Sequence, residues 1–346
     1  MKALFLESIG LHPSLSVKDV PNPAKTLGPQ EVIIAVEACG LCYHDLLVMQ
    51  GTLRRGVRLP LVLGHEIAGH ISDIGDDVKD MKIGDRVISL ATDVCGQCHR
   101  CVNKQHHRCI NRRTLGHSSP GGLAEYVKVR RHSIVPIPDS ISWDHACLLA
   151  CPVAVGLNAV RKVSSIKPGR TVVITGAGGG LGTSLIQITK LSGAQVIAVT
   201  SSPEKEESLR RLGADHVLGP NGIPFSEIVL AITNDSGADV VLDCVGSPMF
   251  TESIRSLSQF GHMIVLGEVS GEQVSLNLGE LLFRDATITA ITGTNRSIVE
   301  EAVNLAELGL INSVIHQQMP WDRISDAVEL LQNSKALGRI VLKPPR

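Results

Sequence analysis

Up to about residue 150 the apolar positions come in short β-branched runs cut by Gly, Pro and Asp, a texture that predicts strands rather than helices. "EVIIAVEACG" (31–40), "EIAGHISDIG" (66–75) and "DRVISLA" (85–91) are such runs, the last entered through a Gly-Asp turn in "KIGDRVI". From about residue 155 the pattern changes. "TVVITG", "AQVIAVT", "ADVVLDCVG" and "GHMIVLG" are nearly continuous apolar strands, and "SLIQITKLSG", "KEESLRRLGA" and "FTESIRSLSQFG" lie between them as helices ending at Gly. Buried strands alternating with amphipathic helices predict a parallel doubly wound sheet, inserted into a small barrel-like β unit. After 290, "SIVEEAVNLAELGLI" and "DRISDAVELLQNSKALGRIVLKP" read as helix, helix and closing strand, which return to the first domain. The expected boundaries are 1–154, completed by 291–346, for the first domain and 155–290 for the second.

Composition supports two folded domains: 346 residues exceed what a single core comfortably serves, and 43% are hydrophobic. Formal net charge is -1, from 33 basic and 34 acidic residues, so no global field gathers nucleic acid or anionic lipid. The opening "MKALFLESIGLHPSLSVKD" reads as a first strand rather than a secretory or transit signal, and the apolar stretch "ACLLACPVAVGLNAV" as a buried helix start. A cytoplasmic chain is therefore expected, in which nine cysteines indicate metal or catalysis rather than disulfides.

Four of those cysteines crowd into "VCGQCHRCVNKQHHRCI". Cys95, Cys98, Cys101 and Cys109 form CxxCxxCx7C, which lacks the short last interval and following proline of a ferredoxin run and suits tetrahedral structural zinc. His99, His106 and His107 are read as solvated loop residues, since four thiolates already close the tetrahedron. A second donor set comes from three separate loops, "ACGLCYHDLL", "LGHEIAG" and "LLACPVAVG". Cys42, His65 and Cys151 supply the three ligands of a catalytic zinc with one open position. Cys39, Cys147 and Cys244 are left as packing residues.

After "TVVIT" comes "GAGGGLG", with Gly176, Gly178, Gly179, Gly180, Leu181 and Gly182 at a strand-to-helix turn. Glycines there let a dinucleotide pyrophosphate approach the backbone at a helix N-terminus. At the end of the next strand, where an NAD site usually carries Asp or Glu, stand Thr200, Ser201 and Ser202, followed by Lys205. Hydroxyls and a lysine in place of a carboxylate favour NADP(H) over NAD(H).

Taken together, CGLCYHD, GHE, the four-cysteine lobe, the Cys151 segment, GAGGGLG and the terminal GRIVLKP make the chain resemble the zinc-containing medium-chain dehydrogenase/reductase superfamily, in its alcohol dehydrogenase group. The resemblance spans essentially the whole length. It implies a GroES-like catalytic domain with an inserted Rossmann domain, two zinc ions per chain, and assembly as a homodimer or homotetramer. Glu66 then falls on the carboxylate beside the catalytic metal and Arg339 on the arginine that touches the cofactor pyrophosphate. The implied reaction is hydride transfer between an alcohol carbon and nicotinamide C4, with zinc as Lewis acid. Family members commonly place a Ser/Thr and a His as proton relay where this chain has His44 and Leu47, so His44 is the candidate to carry the proton. Tyr43 occupies a place often held by Arg or His against the pyrophosphate. The altered CYxD pattern also resembles a branch of the superfamily that reduces activated double bonds, such as acryloyl-coenzyme A reductases and quinone reductases.

Overall fold

The computed structural model describes residues 1–163 and 165–345, which divide into two compact units. Of these, the first comprises 1–154, 293–333 and 339–345, the second 155–163, 165–292 and 334–338. The short segment 334–338, which the sequence places with the closing part of the first domain, therefore packs with the second. Its anchor is described below.

In the first unit the strand Glu31–Leu41 is the hub. It pairs antiparallel with Glu66–Ile74, with Tyr126–Arg130 and with the closing strand Arg339–Lys343, inside a seven-stranded sheet. Its β-branched run "VIIAV" supplies buried Val32, Ile33, Ile34 and Val36 to the core. The register sets Gly40 opposite Glu66 and Leu41 opposite Ile340. Cys42, His65 and Arg339 each lie one residue beyond those pairs, so three adjacent strands deliver them to the same end of the sheet.

The second unit is a six-stranded sheet in which every neighbour is parallel. Its spatial order is His216–Leu218, Gln195–Val199, Thr171–Thr175, Ala238–Asp243, Leu257–Val265, Thr287–Ala290. In chain order that is third, second, first, fourth, fifth, sixth, the doubly wound arrangement whose order reverses between the first and fourth strands. The expected helix over 250–261 is shorter than its pattern implies: it ends at Arg255, and 257–260 already belong to the strand. A register shift after Leu257, with Phe260 at φ 60, lets the sheet claim these residues.

Residues 143–161 form, among the described residues, one helical run of 19 residues long and apolar enough to cross a membrane, yet 72% of that window is buried within the protein. It is not a regular helix. Pro152 cannot donate an N–H to the preceding turn, and Leu149–Val153 widen into a π-helical segment that carries Cys151.

Candidate active site

Cys42 precedes the helix Tyr43–Gln50, and Asp45 closes that helix's first turn by accepting from the Cys42 amide at 2.9 Å. The other oxygen of the same fully buried carboxylate accepts from the Gly64 amide at 3.2 Å and faces His65 Nδ1 at 3.5 Å. One aspartate thus ties two ligand loops together and stands behind the imidazole, the usual place for a carboxylate that fixes a metal-binding histidine. The third donor, Cys151 Sγ, lies 3.8 Å from His65 Nε2.

Donor atoms of Cys42, His65, Glu66 and Cys151 all lie within 4.8 Å of one another. Sulfur and nitrogen ligands at zinc distances on a tetrahedron stand about 3.6 Å apart, so this donor set fits the ion. Arg339 completes the cluster. Its Nη2 donates to Cys42 Sγ at 3.2 Å and to Glu66 Oε1 at 3.0 Å. A proton shared with Cys151 and the neighbouring guanidinium hold the Cys42 thiol well below its ordinary value. Burial pushes Glu66 up to about 7 against the pull of Arg339. Glu66 Oε2 and Arg339 Nε are buried without a hydrogen-bond partner among the described residues. Room for that carboxylate exists because residue 40 is glycine: a Cβ there would meet Glu66 Oε2 at 2.1 Å.

His44 lies against the cluster, its ring centroid 5.3 Å from His65, and on its other side 5.2 Å from His117. Burial, then the nearby His65, lower its pKa. Leu47 is buried. His117, from the "GHSSPGG" loop, and Asp45 are site residues that sequence reading passes over. Asp45 carries a signal, an acid at the third position of a helix following a ligand cysteine; His117 carries none.

The four-cysteine lobe is equally well formed. Cys98 Sγ lies 3.6 Å from Cys101 Sγ and 3.9 Å from Cys109 Sγ, and Cys109 Sγ lies 3.5 Å from Cys95 Sγ. Four sulfurs about 2.3 Å from a common centre would be separated by about 3.8 Å, so this set also fits zinc. Backbone N–H of Ile110 draws the Cys98 thiol down to about 6, while burial pushes Cys101 up to about 12. Of the nearby histidines, His99 is exposed as expected; His106 instead accepts through Nδ1 from the Arg296 amide at 3.0 Å, fastening the lobe to the helix Arg296–Glu307. Cys39 and Cys147 are buried outside both donor sets, and Cys244 packs against the second unit's core.

In the second unit, Gly176 has φ 60 and accepts from the Gly179 amide, turning the chain into the helix Gly180–Leu191. A Cβ at Gly182 would meet Gly176 O at 2.4 Å, so that glycine serves helix-to-strand packing. Leu181 packs against the core beneath the turn. Thr200 Oγ1 accepts from the Ser202 amide, and Ser201 is exposed.

Lys205 departs from expectation. The sequence offers it as a phosphate ligand, but it is 7% exposed and its ammonium donates to the carbonyls of Ser334 and Ala336, with Ser202 Oγ also donating to Ser334 O at 3.0 Å. Its aliphatic stem lies where a Cβ on Gly178 would reach, 2.7 Å from Lys205 Cδ. The lysine therefore clamps 334–338 onto the glycine loop, and Gly338 N donates to Gly178 O beside it.

Residues 28–139 match the family described as alcohol dehydrogenase GroES-like domain, and residues 180–307 match zinc-binding dehydrogenase. The chain is 32% identical to an acryloyl-coenzyme A reductase of Sulfurisphaera tokodaii, over 99% of this chain and 100% of that one. It is 36% identical to an NAD-dependent alcohol dehydrogenase of the same organism, again over 99% and 100%. Among solved structures, the alcohol dehydrogenase from Aeropyrum pernix superposes with a TM-score of 0.93 at 30% identity, over 99% of this chain and 100% of that one.

Proposed function

This chain belongs to the zinc-type medium-chain dehydrogenase/reductase superfamily, and on that premise we propose that it interconverts an alcohol and its carbonyl with NADP(H), using two zinc ions per chain. The observation that carries this reading is the open donor set of Cys42, His65 and Cys151, all reaching one point, with Glu66 in reserve. Zinc there supplies Lewis acidity toward a substrate oxygen, and the nicotinamide supplies or accepts the hydride. The chain's own groups do the rest. Cys151 first and then Arg339 favour the Cys42 thiolate, Asp45 orients His65, and His44 is the imidazole proposed to pass a proton outward toward His117.

A second reading has its own support. His44 and Leu47 replace the customary relay, and relatives at 32% and 33% identity are named acryloyl-coenzyme A reductases. Enoyl reduction develops charge on an enolate and needs a proton donor for the α-carbon rather than a route from an alcohol oxygen. Turnover of primary and secondary alcohols, their carbonyls and crotonyl thioesters separates the two: alcohol or carbonyl turnover is expected, and robust thioester reduction without it would replace the first reading with the second.

The NADP(H) preference rests on the missing carboxylate after strand Gln195–Val199, because two donors of the Lys205 ammonium are engaged. The preference should therefore be modest. Thr200→Asp should reverse it, costing about tenfold or more in kcat/KM with NADPH. Lys205→Met should lower the melting temperature, since it takes the lysine donor from the buried Ala336 carbonyl, at a cost of about 1–3 kcal/mol, while Ser334 O keeps the Ser202 hydroxyl and the NADPH/NADH ratio changes little. A collapse of that ratio in Lys205→Met would return the lysine to the phosphate. Self-association is supported by exposed Leu278, Leu282 and Phe283 beside the edge strand Thr287–Ala290.

A further inference from the structure

The 20 residues from Leu46 to His65 contain three arginines and no acid, in a chain that as a whole carries 33 basic and 34 acidic residues. Arg54, Arg55 and Arg58 are all exposed, and among the described residues none of the three guanidiniums has an ion pair. Other arginines of this unit are engaged: Arg113 pairs with Asp93 and Glu31, and Arg131 with Asp80. Three exposed guanidiniums within five positions, without ion pairs among the described residues, concentrate positive charge on this turn.

Their position gives the cluster a purpose. The Val57 amide donates to Arg54 O in a tight turn, and Leu53 N donates to Leu47 O, which pins the loop to the helix that follows Cys42. His117 Nε2 donates to Arg55 O at 2.9 Å, His117 lies against His44, and His44 lies against His65. Three successive contacts thus lead from the arginine turn to a metal ligand. The turn is thus linked to the metal site through His117 and His44, and its charge is opposite to that of a phosphate.

We propose that Arg54, Arg55 and Arg58 receive the phosphate groups of a substrate whose reactive carbon goes to the metal site. The chemical class is a phosphate-bearing carbonyl, alcohol or enoyl compound, and the planar forks suit bidentate capture of phosphate oxygens. The location rests on the oxidoreductase reading above; the capture of phosphate does not. Two sources share this chemistry, a long-armed acyl carrier such as coenzyme A, whose phosphates sit far from the reacting carbon, and a short phosphomonoester.

The test is calorimetric titration of the zinc-loaded protein, saturated with NADP⁺ so that the cofactor site is filled, in wild type and in the triple variant R54Q/R55Q/R58Q. The probes are coenzyme A, glycerol 3-phosphate, and pantetheine, which lacks phosphate. Wild type should bind coenzyme A, more weakly as salt rises, and the triple variant should bind it at least about tenfold more weakly. Pantetheine should not distinguish the two proteins. Glycerol 3-phosphate matching coenzyme A in affinity and in its loss would assign the short phosphomonoester as the source. Unchanged melting temperature and zinc content in the variant exclude simple misfolding. Equal binding of coenzyme A and glycerol 3-phosphate to both proteins, or binding of neither to wild type, overturns the proposal, as does an effect of the triple variant confined to NADP(H) affinity. The titration needs no turnover, so a wild type inactive on every substrate would defeat the oxidoreductase reading while leaving this result readable.

Discussion

Cys151→Ala should reduce alcohol or carbonyl turnover by on the order of a thousandfold or more, while the protein stays folded and one zinc per chain is lost. The size follows from the several kcal/mol of charge stabilisation that a Lewis acid contributes to such a step. Selectivity follows from position. Cys151 sits on the widened turn of a buried helix, and its replacement leaves the Asp45 bridge and the Arg339–Glu66 pair in place. Elemental analysis of protein purified without added metal should fall from about two zinc to about one, with the four-cysteine lobe still loaded. Full activity in this variant, or only one zinc in wild type, would mean that one of the two donor sets has been misread.

Cys98→Ala should do the reverse: melting temperature drops by about 10 °C or more, and activity per folded molecule at low temperature changes by less than about threefold. A closed set of four thiolates leaves no position for substrate, so its binding free energy becomes folding free energy. For a unit of this size each kcal/mol moves the melting point by about 2–4 °C. The lobe is fastened to the helix Arg296–Glu307 through His106, and a Cβ at Gly293 would meet His107 Cβ at 2.9 Å, so loosening it exposes that helix's start. Catalytic loss as large as in Cys151→Ala, without destabilisation, would contradict the structural assignment.

Much of this site is legible in the sequence because ligation writes itself as residue type and spacing. Four cysteines within fifteen positions, or a glycine run between a strand and a helix, need no tertiary knowledge. Lys205 is the counterexample. From the chain alone it is a cation at the start of a helix, and only the fold brings the carbonyls of residues 334 and 336, some 130 positions away, to meet it. His117 is similar, a loop histidine whose neighbours His44 and Arg55 come from distant segments. The early strand start at Leu257 reflects another limit: "SLSQFG" has helical periodicity, but pairing with Ala238–Asp243 decides its state. Asp45 is legible in the chain, since an acid at the third helical position marks a capping role.

That aspartate bears on the order in which the protein matures. Because Asp45 already joins the Cys42 and Gly64 amides through protein hydrogen bonds, two of the three ligand loops are held in place by the fold itself. The catalytic ion then arrives at a prepared seat, and the ordering entropy of those loops is met before binding. In the cysteine lobe the sulfurs face mainly one another, and His106 ties the loop to the helix Arg296–Glu307 rather than joining one ligand segment to another. Nascent chains should therefore need zinc early, to build the lobe, and accept the second ion late. Under zinc scarcity the predominant species would be a folded protein with an intact lobe and an empty catalytic seat, a dormant pool that addition of metal alone can activate.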